Sequence, residues 1–149
     1  MNKRKTRVIA SGVFDLIHYG HLKFLEKAKE VGGPDAELIV VVARDATVRK
    51  MKGAAPVLPE EQRCAIVEAL KPVDLAILGH ETLNIPAIIE AYKPDIIALG
   101  YDQAEIERKV LDYLKNAQLS TRVVMVGHFG TEDLDSSTKI KRKIVGYTK

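Results

Sequence analysis

The fold of this chain is decided by residues 8–21, which read Val-Ile-Ala-Ser-Gly-Val-Phe-Asp-Leu-Ile-His-Tyr-Gly-His. Residues 8–10 are apolar and partly β-branched, which predicts a short buried strand that ends at the following Ser-Gly pair. A helix is expected to begin near Gly20, so that His18 and His21 can face one side of its first turn. The free N–H groups of a helix N-terminus suit phosphate, and two imidazoles beside them can stabilise a phosphoryl group that gains charge.

Apolar runs and helical stretches alternate along the rest of the chain. Strands are expected at 37–43, 74–78, 95–99 and 122–126, and helices at 20–31, 59–70, 84–92, 104–117 and from Ser136 onward. Residues 44–58 are charged and predicted to be irregular. Alternation with short links predicts an α/β fold: a single Rossmann-like, doubly wound domain over residues 1–149. It should contain a five-stranded parallel sheet with helices on both faces.

Polar side chains follow several of these strands at the point where each strand ends. Ligands of a doubly wound sheet bind beyond the carboxyl ends of its strands, so we expect these side chains to converge on one edge. The groups are His18 and His21 after the first strand, Arg49, Lys50 and Lys52 after the second, Tyr101 and Asp102 after the fourth, and Ser136 to Thr138 after the fifth.

Composition narrows the class of protein further. A single cysteine, Cys64, excludes an internal disulfide and a cysteine-based metal cluster. No apolar run reaches the length of about 18 residues that spans a membrane, and the N-terminus does not resemble a signal peptide, which predicts a cytoplasmic protein. The net charge is +3, with basic residues concentrated at both ends. Because no aromatic residues are interleaved with that charge, we do not expect nucleic acid as a partner.

The pattern Gly12-x-Phe-Asp15-x-x-His18-x-Gly-His21 resembles the HxGH signature of the nucleotidyltransferase superfamily. These enzymes transfer a nucleotidyl group from a nucleoside triphosphate to a phosphate monoester and release pyrophosphate. The resemblance implies that His18, His21 and Lys50 are catalytic. The nucleotide-binding residues that it implies are Val13, Phe14, His18, Tyr19, Gly20, His21, Lys23, Lys52, Arg63, Asp102, Ser137 and Thr138. No protein-built metal site is expected, because Mg²⁺ or another divalent cation would be carried by the ATP phosphates.

The acceptor substrate is not distinguished by composition or spacing, which leave a flavin and a sugar phosphate equally open. Residues 41–45, 48–53, 58–63, 68–74 and 93–100 resemble the archaeal FAD synthases, which transfer AMP from ATP to FMN. That resemblance implies ATP and FMN as substrates, no membrane partner and a homodimer. Phe14, Tyr19 or Phe129 could then provide a wall for the isoalloxazine ring.

Two alternatives remain open at this point. The first is a glycerol-3-phosphate cytidylyltransferase or another sugar-phosphate nucleotidyltransferase. Those relatives usually have an arginine shortly before the Ser-Ser-Thr-Lys-Ile motif at 136–140, whereas this chain has glycine, threonine and acidic residues at 130–135. The second is a nucleotide-binding regulator without catalytic activity, which would have less need of both His18 and His21.

Overall fold

The computed structural model describes residues 4–81, 84–127 and 137–147. Strands and helices follow one another as β1 (Arg7–Gly12), α1 (Tyr19–Glu30), β2 (Glu37–Val42), α2 (Asp45–Lys52), α3 (Glu60–Glu68), β3 (Leu75–Leu78), α4 (Ile85–Tyr92), β4 (Ile96–Gly100), α5 (Ala104–Asn116), β5 (Arg122–Val126) and α6 (Ser137–Tyr147). None of these helices, as far as the described residues extend, is long and apolar enough to cross a membrane.

The strands form one five-stranded sheet in the order β3-β2-β1-β4-β5, and every pairing is parallel. The strand β1 lies at the centre, where Ile9 is opposite Ile39 of β2 and Ile97 of β4. The predicted five-stranded parallel sheet is therefore confirmed. Connections run outward from β1 on one side and then from β4 on the other, so the topological switch point lies between these two strands.

Side chains of the central strands are buried on both faces of the sheet, as the continuous apolar run at 38–42 indicates. On one face, Leu25 and Ala28 of α1 and Val67 of α3 join the core. On the other, Ile89 of α4 and Val110 of α5 pack in smaller clusters with alternate strand residues. The predicted placement of helices on both faces is confirmed.

The segment between β2 and the second predicted helix differs from expectation. Residues 45–52 form the helix α2, although 44–58 was predicted to be irregular, so that prediction is wrong for this part. Val48 is the buried residue of α2, and one apolar position gives no helical periodicity for a sequence pattern to reveal. Gly53 ends the helix with φ at 75°, a left-handed conformation that glycine adopts without a Cβ penalty.

Candidate active site at the carboxyl edge of the sheet

The histidine pair is fixed at the entrance of α1 by the backbone itself. His18 is the N-cap residue, and its Nδ1 accepts a hydrogen bond from the Gly20 N–H at 3.1 Å. His21 reaches back so that its Nδ1 accepts the His18 N–H at 3.3 Å, which completes a capping box built from two histidines. The two rings stack with centroids 3.7 Å apart and planes 25° from parallel. Both imidazoles therefore have little rotational freedom.

These contacts also determine which ring nitrogen bears the hydrogen. Nδ1 of each ring is an acceptor, so a ring that carries one hydrogen carries it on Nε2. Burial is the largest of the effects that together lower the pKa of His21 to about 3, and the neighbouring His18 is the next. The Asp15 carboxylate acts to raise this pKa, and the Lys52 ammonium adds a smaller lowering effect. At neutral pH His21 is thus an uncharged Nε2–H donor, a form suited to hydrogen-bonding a phosphate oxygen.

The loop that leads from β1 to this pair has an unusual backbone. Phe14 and Leu16 have φ angles of 56° and 52°, a left-handed conformation that costs energy for residues with a Cβ. A Cβ at Gly12 would lie 3.0 Å from two atoms of the Phe14 ring, so a larger residue there would displace that ring. The Phe14 ring itself lies 5.3 Å from the His21 ring. The packing of the Phe14 ring between Gly12 and His21 thus holds the loop in its strained conformation.

Of the three aromatic residues proposed for a flavin wall, Phe14 is only 3% exposed and belongs to the core. It offers no open face to a ring system, so that expectation is wrong for this residue. Its nucleotide contact would have to be made by its backbone. Tyr19 is 52% exposed. Phe129 lies outside the described residues.

The Asp15 carboxylate joins this same loop to the segment that precedes α3. Asp15 is 5% exposed, and it accepts hydrogen bonds from the Val57 N–H at 2.7 Å and the Leu58 N–H at 3.0 Å. The Lys141 ammonium of α6 lies 3.5 Å from the same carboxylate. Burial acts to raise the pKa of Asp15, but the two N–H donors and Lys141 outweigh it, so the pKa is below its usual value. Asp15 is thus an ionised anchor for the segment before α3.

Arg63 is a second and larger brace. Its side chain has no exposed surface and donates to the carbonyls of Leu58 at 2.9 Å and of Val13 and Ala43 at 2.7 Å. A further bond at 2.7 Å reaches the Asp45 carboxylate. The family resemblance implied that this arginine binds the nucleotide directly. In the structure it lies beneath the loops after β1 and β2, where a ligand does not reach it, so we correct its role to positioning.

The lysines of α2 are held quite differently. Arg49, Lys50 and Lys52 are all exposed on its last turns. Lys52 lies close enough to His21 to lower its pKa, whereas Lys50 lines a cleft between α2 and α5. Lys52 therefore lies toward the histidine pair, and Lys50 lies toward α5.

Lys23, the remaining cation that the sequence analysis assigned to the nucleotide, lies on the second turn of α1. Its Nζ is 3.4 Å from Glu26 Oε2 and 5.3 Å from the centroid of the Tyr19 ring. The hydrogen bond to Glu26 and the charge of that carboxylate raise the pKa of Lys23. Its charge is thus partly matched within α1.

The end of β4 contributes a further set of polar groups. Gln103 Oε1 accepts the Gly100 N–H at 2.7 Å, and its Nε2 donates to the Ser11 carbonyl at 3.2 Å. This amide joins β4 to β1 at the switch point. Sequence reasoning did not reveal this role, although Gln103 directly follows the Tyr101–Asp102 pair noted after the fourth strand. Asp102 is exposed, and its Oδ1 would lie 3.1 Å from a Cβ at Gly100.

The C-terminal motif is described only in part. Ser137 begins α6 and Thr138 is exposed on its first turn. The side chain of Ser137, the acidic segment at 130–135 and Ser136 lie outside the described residues. An ion pair of Lys141 with Asp15 joins α6 to the rest of the site.

The site thus consists of a stacked pair of imidazoles at the switch point of a doubly wound parallel sheet. A family model described as cytidylyltransferase-like matches residues 9–143. The chain therefore belongs to the cytidylyltransferase-like family, and it is an enzyme of the nucleotidyltransferase class.

Individual relatives are similar over nearly the whole chain. A protein named FAD synthase from Archaeoglobus profundus is 50% identical over 143 residues, which are 96% of this chain and 88% of the relative. A second FAD synthase, from Methanopyrus kandleri, is 44% identical over 93% of this chain and 91% of its own. A solved structure described as a lipopolysaccharide core biosynthesis protein from Thermoplasma volcanium is 40% identical. It aligns with a TM-score of 0.76 over 84% of this chain and 98% of that protein.

Proposed function

We propose that this enzyme transfers AMP from ATP to FMN and releases FAD and pyrophosphate. An oxygen of the FMN phosphate attacks the α-phosphorus of ATP in line. A new P–O bond forms as the bond from the α-phosphorus to the β-phosphate oxygen breaks, and its electron pair leaves with pyrophosphate. The choice of substrates is supported by the relatives named FAD synthase at 43–50% identity over more than nine-tenths of this chain.

The observation that carries the chemistry is the stacked pair of histidines. Because Nδ1 of each ring is held by a backbone N–H, Nε2–H of each ring can donate to oxygens on the α-phosphorus. Those oxygens gain charge in the transition state, and fixed donors stabilise that charge without having to reorganise. No covalent intermediate is needed, so positioning and electrostatic stabilisation suffice.

The cations of the edge would stabilise the phosphates. Lys52, whose charge acts on His21, is positioned to interact with phosphate oxygens near the reacting centre. Lys50 stands farther toward α5 and is better placed for the acceptor. The N-terminus of α1 adds partial positive charge, and it carries no acidic residue in its first turn that would cancel it.

A divalent cation such as Mg²⁺ fits this chemistry as a companion of ATP. Within the part of the chain that the structure describes, no group of three His, Cys, Asp or Glu side chains could hold a metal ion. Because Mg²⁺ in such sites is bound largely through substrate phosphates, triphosphate oxygens would supply most ligands, and the exposed Asp102 carboxylate could add one. When bound, such an ion neutralises charge on the phosphates.

The direct test is a matrix of ATP and CTP against FMN, glycerol 3-phosphate and a sugar phosphate, with pyrophosphate release and chromatography as readouts. We expect FAD from ATP and FMN, and loss of that product in the His18→Ala variant. Steady transfer of CMP to glycerol 3-phosphate with no FAD formed would favour a cytidylyltransferase instead. Binding of nucleotide without turnover of any pair would indicate a regulator.

We also propose that the enzyme is a single cytoplasmic domain that forms a homodimer. Ile144 and Val145 of α6 are more than half exposed and provide apolar surface for such an association. Light scattering at micromolar concentration should give twice the mass of the chain. A monomer at that concentration would remove the dimer and leave the proposed reaction unaffected.

A further inference from the structure

A cleft of about 230 Å³ opens between α2 and α5 at the carboxyl edge of the sheet. Its lining consists of Thr47, Lys50 and Met51 from α2, Glu81 after β3, and Glu105, Ile106 and Lys109 from α5. None of these residues except Lys50 was singled out by the sequence. Apart from the role of Lys50, neither the histidine signature nor the family resemblance assigns a ligand to this cleft.

The position of the cleft follows from the strand order. The helix α2 comes after β2 and α5 comes after β4, and these strands lie on either side of β1 in the sheet. The cleft thus spans the carboxyl end of β1, at the switch point where a doubly wound sheet binds its ligands. The histidine pair follows the same strand. A larger cavity of about 760 Å³ is lined by one side of α1 and by the loops that precede β2 and β3, and those loops lie toward the opposite edge of the sheet.

The wall of the cleft is held in place by neighbouring backbone. Thr47 Oγ1 donates to the carbonyls of His80 at 3.2 Å and Glu81 at 3.0 Å, so α2 is tied to the loop after β3. Ile106 packs against the core cluster of α4 and α5. Both walls are therefore anchored, and the cleft is a feature of the fold.

The chemistry of the lining is that of a site for a flat, amphipathic ring. Met51 is 63% exposed and Ile106 faces the same space, so apolar surface is available on both walls. Two lysines and two glutamates supply donors and acceptors around it. Pockets for whole drug-sized ligands measure about 300–1,000 Å³. A cleft of 230 Å³ suits one ring system of a substrate, with the remainder of the molecule lying outside.

We propose that this cleft is the subsite for the isoalloxazine ring of FMN, an inference that rests on the proposed function. The thioether of Met51 and the side chain of Ile106 contact the ring, and polarizable sulfur is well suited to an aromatic face. The carboxylates accept from the N–H of the ring, and the lysines donate to its carbonyl oxygens. Lys50, at the end of α2, lies where the acceptor chain leads from the ring toward the reacting phosphate.

The experiment compares Met51→Glu, Met51→Leu and Ile106→Ala with the wild type in the full-length enzyme. We expect Met51→Glu and Ile106→Ala to raise the KM for FMN about tenfold or more. The KM for ATP and kcat at saturating FMN should stay near wild type. Met51→Leu, which keeps an apolar contact with the ring, should bind FMN as tightly as the wild type. Leu111→Glu on α5 is the matched control, because Leu111 is 47% exposed and does not line the cleft.

A titration of FMN fluorescence without ATP gives an independent readout. Wild-type enzyme should quench FMN, and Met51→Glu should weaken that binding by a similar factor. An unchanged KM and binding constant for FMN in both Met51→Glu and Ile106→Ala would overturn the subsite while leaving FAD formation intact. Absence of both FAD formation and FMN binding in the wild type would overturn the proposed function, and with it the subsite.

Discussion

The histidine pair and the lysines of α2 are both expected to meet phosphate, yet the fold holds them in opposite ways. His18 and His21 form a capping box, their rings stack on each other, and the His21 ring packs near Phe14. Hydrogen bonds of Asp15 and Arg63 hold the loop that leads to them. Lys50 and Lys52 extend from a short helix and are exposed. Fixed donors lower a barrier because they need no reorganisation, whereas flexible charges mainly attract and retain an ion. The comparison therefore predicts different kinetic roles for the two groups.

The largest expected effect is on the brace that holds the histidine loop. Replacing Arg63 by Met removes every bond from the guanidinium and leaves the part-buried carbonyls of Val13 and Ala43 and the Asp45 carboxylate without this donor. We expect the free energy of unfolding to fall by about 3–5 kcal/mol in urea denaturation.

The matched control for this change is Arg44→Met. Arg44 also bonds a carbonyl and a carboxylate, Gly79 O at 2.6 Å and Glu60 at 2.8 Å, but its side chain is 37% exposed. Its loss should cost about 1 kcal/mol or less, because water replaces the lost partners. Equal losses of unfolding free energy in the two variants would show that the bonds of Arg63 contribute no more than those of an exposed ion pair.

The second prediction concerns the held donors themselves. His18→Ala and His21→Ala should each lower kcat by about 10²-fold or more, equivalent to about 2.7 kcal/mol, with a smaller change in ATP affinity. Steady-state kinetics and an ATP-analogue titration separate the two quantities. Lys27→Ala, on an exposed side of the same helix, is the control and should behave as wild type. Near-normal turnover in both histidine variants would remove this pair from the catalytic centre.

The third prediction concerns the exposed cations. At low salt, Lys50→Ala should raise the KM for FMN by about tenfold, and Lys52→Ala should raise the KM for ATP by a similar factor. Both variants should lower kcat less than the histidine variants do. Raising ionic strength from about 0.1 M to about 1 M shortens the Debye length from about 10 Å to about 3 Å, so the difference from wild type should shrink. The histidine variants should show no such convergence. Lys115→Ala, at the far end of α5, serves as the control.

The smallest expected effect is the change in stability between pH 7 and pH 5.5. The pKa of His21 is lowered from 6.5 to about 3 in the folded chain. Between those values the unfolded chain binds a proton that the folded chain does not, so stability is lost as the pH falls from 6.5 toward 3. The slope approaches about 1.4 kcal/mol per pH unit for one group.

The variant that tests this dependence is His21→Asn, whose Oδ1 can still accept the His18 N–H. Urea denaturation at pH 7 and pH 5.5 should show a smaller loss of stability on acidification for His21→Asn than for wild type. An equal loss would mean that His21 is not the group whose burial opposes protonation.

Much of the framework could be read from local sequence, and particular residues show why. The strand at 122–126 was predicted with the observed bounds, because an apolar run between polar breaks needs no tertiary information. The helix α2 was missed because its interior contact is the single Val48, which leaves no periodic pattern. Gln103 directly follows the polar pair noted after the fourth strand, but its bond to Ser11 joins residues 92 positions apart, and no local pattern encodes such a contact.

The sequence by itself determined the alternation of strands and helices, the break after β1 and the pair of histidines three residues apart. These are properties of neighbours along the chain, governed by burial period and helix capping. Only the tertiary structure decided that Arg63 lies beneath the site, that Lys50 and Lys52 serve different sides of it and that a cleft spans the end of β1. The reason is physical. An arginine has the same local propensity whether its partners are water or four atoms gathered from distant loops, and only packing brings those atoms together.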